Sequence, residues 1–182
     1  MKRLSILIAL LSTISCSSIK NIDSNKIFCQ NLEGVADFSN NLDNIKSRYN
    51  IIINDGEVVN FRLLSTFGTP LVVLRFNNSS LSDIIVRGNQ VEEGLLKSYL
   101  QDYGIVLPDL NYLPYWLLGH PRGENFNLVS ESNHEINFKE SGWDITSTFS
   151  SENAIPVRNV FKYKGTIIRL EIHNSLLTCN GV

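Results

Sequence analysis

The sequence predicts a mainly β domain: one long antiparallel sheet that curls or closes, with short helices covering its concave face. Three observations carry this expectation. Apolar residues recur with period two in several runs on both sides of the chain's middle. Short Gly-containing turn signals separate many of these runs. Between the two groups lies one stretch, residues 105–119, that is apolar nearly all round at helical spacing. Such a segment has to be enclosed.

At the N-terminus, Lys2 and Arg3 precede a short apolar run, Leu4–Leu11, and then Thr13-Ile14-Ser15-Cys16. This three-part order predicts a processed leader over residues 1–15. The apolar run is far below the ~20 residues that a membrane-spanning helix needs; a buried N-terminal strand or helix is the alternative. Residues 16–27 are polar and without periodicity, and read as a tether. Residues 28–182 then form a single domain, long enough for a substantial core.

Within that domain, Ile45, Ser47, Tyr49, Ile51 and Ile53 alternate with mostly polar neighbours, which predicts a half-buried strand. Asn54-Asp55-Gly56-Glu57 follows, and Asp-Gly suits a type I′ hairpin turn. The return strand sets Val59, Phe61 and Leu63 on one face. Val72, Leu74 and Phe76 form the next inward set, then Ile84 and Val86. Val91–Tyr103 is an amphipathic helix, with Val91, Leu95, Tyr99 and Tyr103 four residues apart, Leu96 and Leu100 beside them, and Gly104 ending it.

In the enclosed stretch, Leu110, Leu113, Trp116 and Leu117 share one helical face, and Tyr112, Tyr115 and Leu118 complete the turn. Pro114 fits only a first turn, Gly119 is a natural cap, and Pro121 blocks continuation. Each large side chain gains roughly 1.5–3 kcal/mol from burial, so this segment is expected to plug the sheet. Strands resume with inward sets at Phe126/Leu128, Ile136/Phe138, Trp143/Ile145/Phe149, Phe161/Tyr163 and Ile168/Leu170/Ile172. Ser141-Gly142 and Lys164-Gly165 are turn signals. A concave face lined by such residues is either covered completely or retains a hydrophobic pocket. A removable plug over such a pocket is expected to leave a vacancy beneath Trp116, without which only a tethered β module remains. Trp116 and Trp143 are expected to pack together under the plug.

Charge and motif content narrow the function classes. A formal net charge of -2, with basic residues scattered singly, argues against nucleic acid. His120, His134 and His173 lie in separate elements without metal-ligand spacing, and no G-x-S-x-G elbow is present. Glu92-Glu93 reads as a solvated helix face, and Ser130–His134 as a hairpin turn. The expectation is a protein that is not an enzyme and uses no cofactor or metal. Cys29 and Cys179 could join the first and last elements in an exported chain, or remain thiols.

The N-terminal segment resembles a bacterial lipoprotein leader, in which the cysteine, here Cys16, becomes lipidated after cleavage; small Ser15 fits that pattern. Thr13 stands where such leaders usually carry leucine, and ordinary cleavage to a soluble secreted chain is the alternative. Two or more acyl chains on one cysteine give stable anchoring. Ser17, in place of an inner-membrane-retaining aspartate, favours the outer membrane.

The domain resembles the outer-membrane lipoprotein receptor LolB family. The similarity is carried by Leu107-Pro108, Tyr115-Trp116-Leu117-Leu118-Gly119, Pro121, Phe67-Gly68 and Gly142-Trp143, and extends in order and spacing over roughly residues 28–177. It implies a half-open antiparallel β-barrel with helices in its mouth and a cavity for acyl chains. It further implies an outer-membrane receptor, monomeric, that takes triacylated lipoproteins from the periplasmic carrier LolA, related in fold, and inserts them into membrane lipid. Phe67 and Gly68 would form the membrane-insertion loop. Acyl-chain contacts would fall to Tyr49, Phe61, Leu63, Leu74, Phe76, Leu113, Trp116, Leu117, Trp143, Ile145, Phe161 and Leu170. A soluble carrier resembling LolA, or a structural lipoprotein with a filled barrel, are the alternatives.

Overall fold

The computed structural model describes residues 29–40, 43–102, 104–150 and 154–176. The leader, the tether, Cys16 and Cys179 lie outside the described residues. Among the described residues there are eleven strands: β1 (Cys29–Ser39), β2 (Asn44–Asn54), β3 (Glu57–Leu64), β4 (Pro70–Asn77), β5 (Ser80–Val86), β6 (Asn89–Gln90), β7 (Phe126–Glu131), β8 (Glu135–Glu140), β9 (Trp143–Phe149), β10 (Pro156–Tyr163) and β11 (Thr166–Leu176). Two short helices, α1 (Glu93–Gln101) and α2 (Leu113–Leu117), lie between β6 and β7.

The strand order is β6-β5-β4-β3-β2-β1-β11-β10-β9-β8-β7. Two hairpin meanders are thus joined side by side where the first strand pairs antiparallel with the last. The edges, β6 and β7, do not pair with each other, so the barrel stays half-open, as expected. The segment between them leaves one edge and must reach the other. It crosses the concave face and carries both helices with it.

The alternation read from the sequence holds in most strands. Tyr49, Ile51, Ile53, Phe61, Leu74, Phe76, Ile84, Phe138, Trp143, Ile145, Phe161, Ile168 and Leu170 are all buried. Asp55 and Gly56 have φ of 50° and 83°, the positive pair a type I′ turn requires. Pro114 sits in the first turn of α2, and Gly119 follows the helix at φ 78°.

Four expectations are corrected. Val59 was expected inward, but the ladder shifts register between Ile52 and Ile53 of β2, and Val58 is the buried residue. A bulge adds one residue and reverses the parity beyond it. Phe126 and Leu128 are exposed, because β7 is an edge strand and every residue in it faces solvent. On α1 the i+4 stripe is not the buried face: Leu95 and Tyr99 are exposed, and only Leu96 is buried. Of the Glu92-Glu93 pair, Glu92 is exposed as expected, but Glu93 is half-buried, pairing with Lys97 at 2.6 Å and accepting the Leu110 N–H at 3.4 Å.

The centre of the sheet is β1. Its inward residues are Leu32, Gly34, Ala36 and Phe38. The small pair has a reason. A Cβ on Gly34 would lie 1.9 Å from the Glu171 carbonyl oxygen and 2.8 Å from the Tyr49 ring. Gly34 lets β11 and the Tyr49 ring close onto β1. Cys29, at the start of the same strand, is disulfide-bonded.

Candidate functional site

The concave face has a filled side and a hollow side. The filled side lies over β8–β10 and holds α2. Trp116 is wholly buried, with its ring centroid 6.1 Å from Trp143, 5.6 Å from Phe161 and 5.4 Å from Tyr112. Its indole N–H donates to Glu140 Oε2 at 2.7 Å. The same buried carboxylate accepts the backbone N–H groups of Arg122 (3.1 Å to Oε2) and Gly123 (3.2 Å to Oε1). At the next residue, Asn159 donates from Nδ2 to the Leu117 carbonyl at 3.1 Å and accepts the Ser147 hydroxyl at 2.6 Å. Charged and amide groups are tolerated at such depth only when their hydrogen bonds are made. Glu140 and Asn159 therefore fix the C-terminal end of α2.

The hollow side lies between β1–β5 and the segment carrying α1. Here a cavity of about 360 Å³ remains. Phe38, Phe61, Leu63, Val72, Leu74 and Val86 form its floor on the first meander, and Phe161, Ile168 and Leu170 continue it across the β1–β11 seam. Its roof comes from Leu96, Tyr99 and Leu100 of α1 and from Ile105, Leu107, Pro108, Leu110 and Leu113. Ser47, Tyr99 and Arg87 are the lining side chains that carry a polar group. The mouth is rimmed by partly exposed Ile45, Leu71 and Tyr99.

Beside that mouth, the β3–β4 hairpin carries Phe67, which is 96% exposed. The loop behind it is tied: Ser65 N–H donates to the Thr69 carbonyl at 2.8 Å, Gly68 N–H to the Ser65 carbonyl at 2.9 Å, and Thr69 N–H to Ser65 Oγ at 3.1 Å. Phe67 is thus held out into solvent on a fixed turn. A single exposed apolar residue is ordinary. Together with the exposed Leu95 and the apolar rim, it makes this end of the molecule greasy.

The roof over the cavity is tied to the sheet by the Val106 N–H, which donates to Thr166 Oγ1 at 3.3 Å, and by Asn111 Oδ1, which accepts the Leu81 N–H at 3.0 Å. Leu96 is the buried anchor of α1, with Glu93 linking the helix to the Leu110 N–H. Asp109 lies close by. Burial acts to raise its pKa, but the two hydrogen bonds from Asn111 and the charges of Lys97 and Arg122 outweigh it, so the carboxyl ends below its ordinary range.

Of the residues expected to contact acyl chains, Phe61, Leu63, Leu74, Leu113, Phe161 and Leu170 line the cavity. Tyr49, Phe76, Trp116, Leu117, Trp143 and Ile145 do not: they are packed in the core. The expected vacancy beneath Trp116 is absent because Trp143, Phe161 and Tyr112 already fill that space. Tyr49 stacks on Phe61 at 6.0 Å, one layer behind the cavity wall. Burial first, and the Glu171 charge second, push its phenol well above the ordinary value of 10.0. Sequence reasoning missed Ile105, Leu107, Leu71 and Arg87 as lining residues. The first two stand before the helix in a segment with no period of its own, and Arg87 stands in a turn.

Among the described residues, no group of His, Cys, Asp and Glu is placed to hold a metal, and no helix is long and apolar enough to cross a membrane. No family model matches the chain, and no curated protein matches it. Among solved structures it is similar to the Pseudomonas aeruginosa MucA/MucB complex, at 16% identity and a TM-score of 0.36, covering 81% of this chain and 51% of that one. It is also similar to MucB in complex with MucA(peri), at 15% identity and a TM-score of 0.34, covering 84% and 52%. The chain spans about half the length of the solved chains it matches.

Proposed function

We propose that this protein is an outer-membrane-anchored receptor of LolB type, which accepts triacylated lipoproteins from a LolA-like carrier, shelters their acyl chains and releases them into membrane lipid. The observation that carries the reading is the apolar cavity of about 360 Å³ opening beside the exposed Phe67. Acyl chains cannot cross water unshielded, at about 0.8 kcal/mol per methylene. A trough with an apolar wall shelters them without a bond being made or broken. Lipidation at Cys16 would keep the receptor at its target membrane, and the work is done by a monomer.

The cavity's size assigns the moving part. A methylene takes about the volume share of a water, roughly 30 Å³, so the resting cavity holds about a dozen of them. Three acyl chains need several times that room. Glu140 and Asn159 keep α2 in place, so the space comes from displacement of α1, which buries one residue, Leu96, and bonds to the Leu110 N–H through Glu93. Phe67 then enters the bilayer and gives the chains an apolar path out.

The test is reconstitution: a triacylated lipoprotein on a LolA-type carrier, the lipidated protein, and liposomes. Wild type is expected to strip the carrier and deliver cargo to lipid. Phe67→Glu is expected to strip the carrier equally well yet deliver several-fold less, with folding stability within about 0.5 kcal/mol of wild type. No transfer from carrier by wild type would sink the receptor reading. Unimpaired delivery by Phe67→Glu would remove Phe67 from it.

A further inference from the structure

The cavity wall is apolar except at few points, and one of them is a cation. Arg87 sits at the mouth, on the two-residue turn between β5 and β6, where Arg87 and Gly88 take φ of 49° and 86°. Its backbone N–H donates to the Leu71 carbonyl at 2.9 Å, which ties the turn to the mouth strand β4. Arg87 is exposed, and its guanidinium makes no ion pair among the described residues. The nearest acid in sequence, Asp83, is engaged by Gln90 at 2.9 Å. A guanidinium without an ion pair, carried on a tied turn at the rim of a greasy hole, is complementary to an amphiphile with an anionic head.

The volume sets the tail. About a dozen methylenes fill 360 Å³ at roughly 30 Å³ each, which is one medium-length acyl chain. We propose that the closed cavity binds a single-chain anionic amphiphile, its tail between α1 and β1–β5 and its carboxylate or phosphate on Arg87. The proposal rests on the cavity being an acyl-chain site, but not on lipoprotein delivery. An occupant of this kind would compete with incoming cargo.

The test uses the full mature chain made soluble by Cys16→Ser, and three probes sharing a twelve-carbon chain, all below their micelle concentrations: laurate, dodecyl phosphate and neutral monolauroylglycerol. Titration calorimetry is expected to show at least one anionic probe binding about tenfold or more tighter than the neutral one, a preference that weakens with salt. Which anion wins identifies the head as carboxylate or phosphate. Arg87→Gln is expected to abolish the preference while leaving monolauroylglycerol affinity unchanged, so the variant carries its own control for folding. Lengthening the chain should raise affinity up to about twelve carbons and then level off. Equal binding of charged and neutral probes by wild type overturns the Arg87 assignment and leaves the acyl site standing. Binding of none of the three overturns the acyl-chain reading itself.

Discussion

Over β8–β10 the concave face is filled by α2, which also reaches β3, whereas the rest of the face over β1–β5 stands open beneath α1. Both halves use large aliphatic and aromatic side chains. The difference lies in polar pins. α2 is held at Trp116 by Glu140 and at Leu117 by Asn159, both buried. α1 presents one buried leucine and leaves Leu95, 62% exposed, facing outward. Apolar contact is non-directional, while an unmade buried hydrogen bond costs about 1–3 kcal/mol. The buried pins select one position for α2, whereas the Glu93 contacts of α1, with Lys97 and the Leu110 N–H, are only partly buried. The Trp-containing helix, the natural candidate for a removable stopper, is the one bonded to buried polar groups, and α1 is the one that roofs the hollow.

The largest expected effect comes from pulling a pin. Glu140→Ala leaves the Trp116 indole N–H and the Arg122 and Gly123 amides without their acceptor, for a loss of about 3–5 kcal/mol. Glu93→Ala, which frees α1, should cost about 1 kcal/mol or less, since its ion pair is partly exposed. Denaturant midpoints measure both. Similar losses from the two variants would erase the distinction between a bolted and an unbolted helix.

Filling each half comes next. Leu63→Trp places extra volume in the hollow side and is expected to change stability by less than about 1 kcal/mol, while weakening a fluorescent acyl probe about tenfold or more. The same enlargement on the filled side, Ile145→Trp, should cost about 1–3 kcal/mol through overpacking and leave probe binding intact in the folded fraction. If Leu63→Trp proves as destabilising as Ile145→Trp, there is no usable space beneath α1.

The two halves also differ in how plainly the sequence announces them. The plug could be found from Leu110 to Gly119 alone, because an all-apolar turn with Pro at its start and Gly at its end has few other uses. The strands of both meanders follow from period two. What the sequence does not carry is which inward residues meet one another and which face a void. Leu74 and Ile145 look alike in sequence, yet one lines the cavity and the other is packed solid. That outcome depends on where α2 is pinned, and its pins are a Glu and an Asn that read as ordinary strand residues. In the central strand β1 the period of two from Glu33 onward is weakened, since Gly34 and Ala36 interrupt the large inward residues. The bulge at Ile52/Ile53 hid Val58, as one inserted residue changes the inward face without altering composition.

The smallest effect probes the boundary between the halves. Tyr49 lies directly behind Phe61, the cavity's wall, and burial raises its pKa above the ordinary 10.0, with Glu171 adding to it. The folded state thus favours the neutral phenol. Below pH 10 both folded and unfolded chains keep it neutral, and its contribution is fully present. As pH rises past 10 the unfolded chain ionises Tyr49 while the folded chain resists, so stability is lost, by up to about 1.4 kcal/mol per pH unit for one group. Tyr49→Phe should remove that part of the alkaline decline and leave the contribution of the other tyrosines. The comparison is of unfolding free energies for wild type and variant between pH 9 and about 11. Water entering the cavity as far as Tyr49 would let the phenol ionise near its usual value, and the two profiles would then superimpose. A wider gap between them means that the hollow ends at Phe61 and the dry core begins one ring further in.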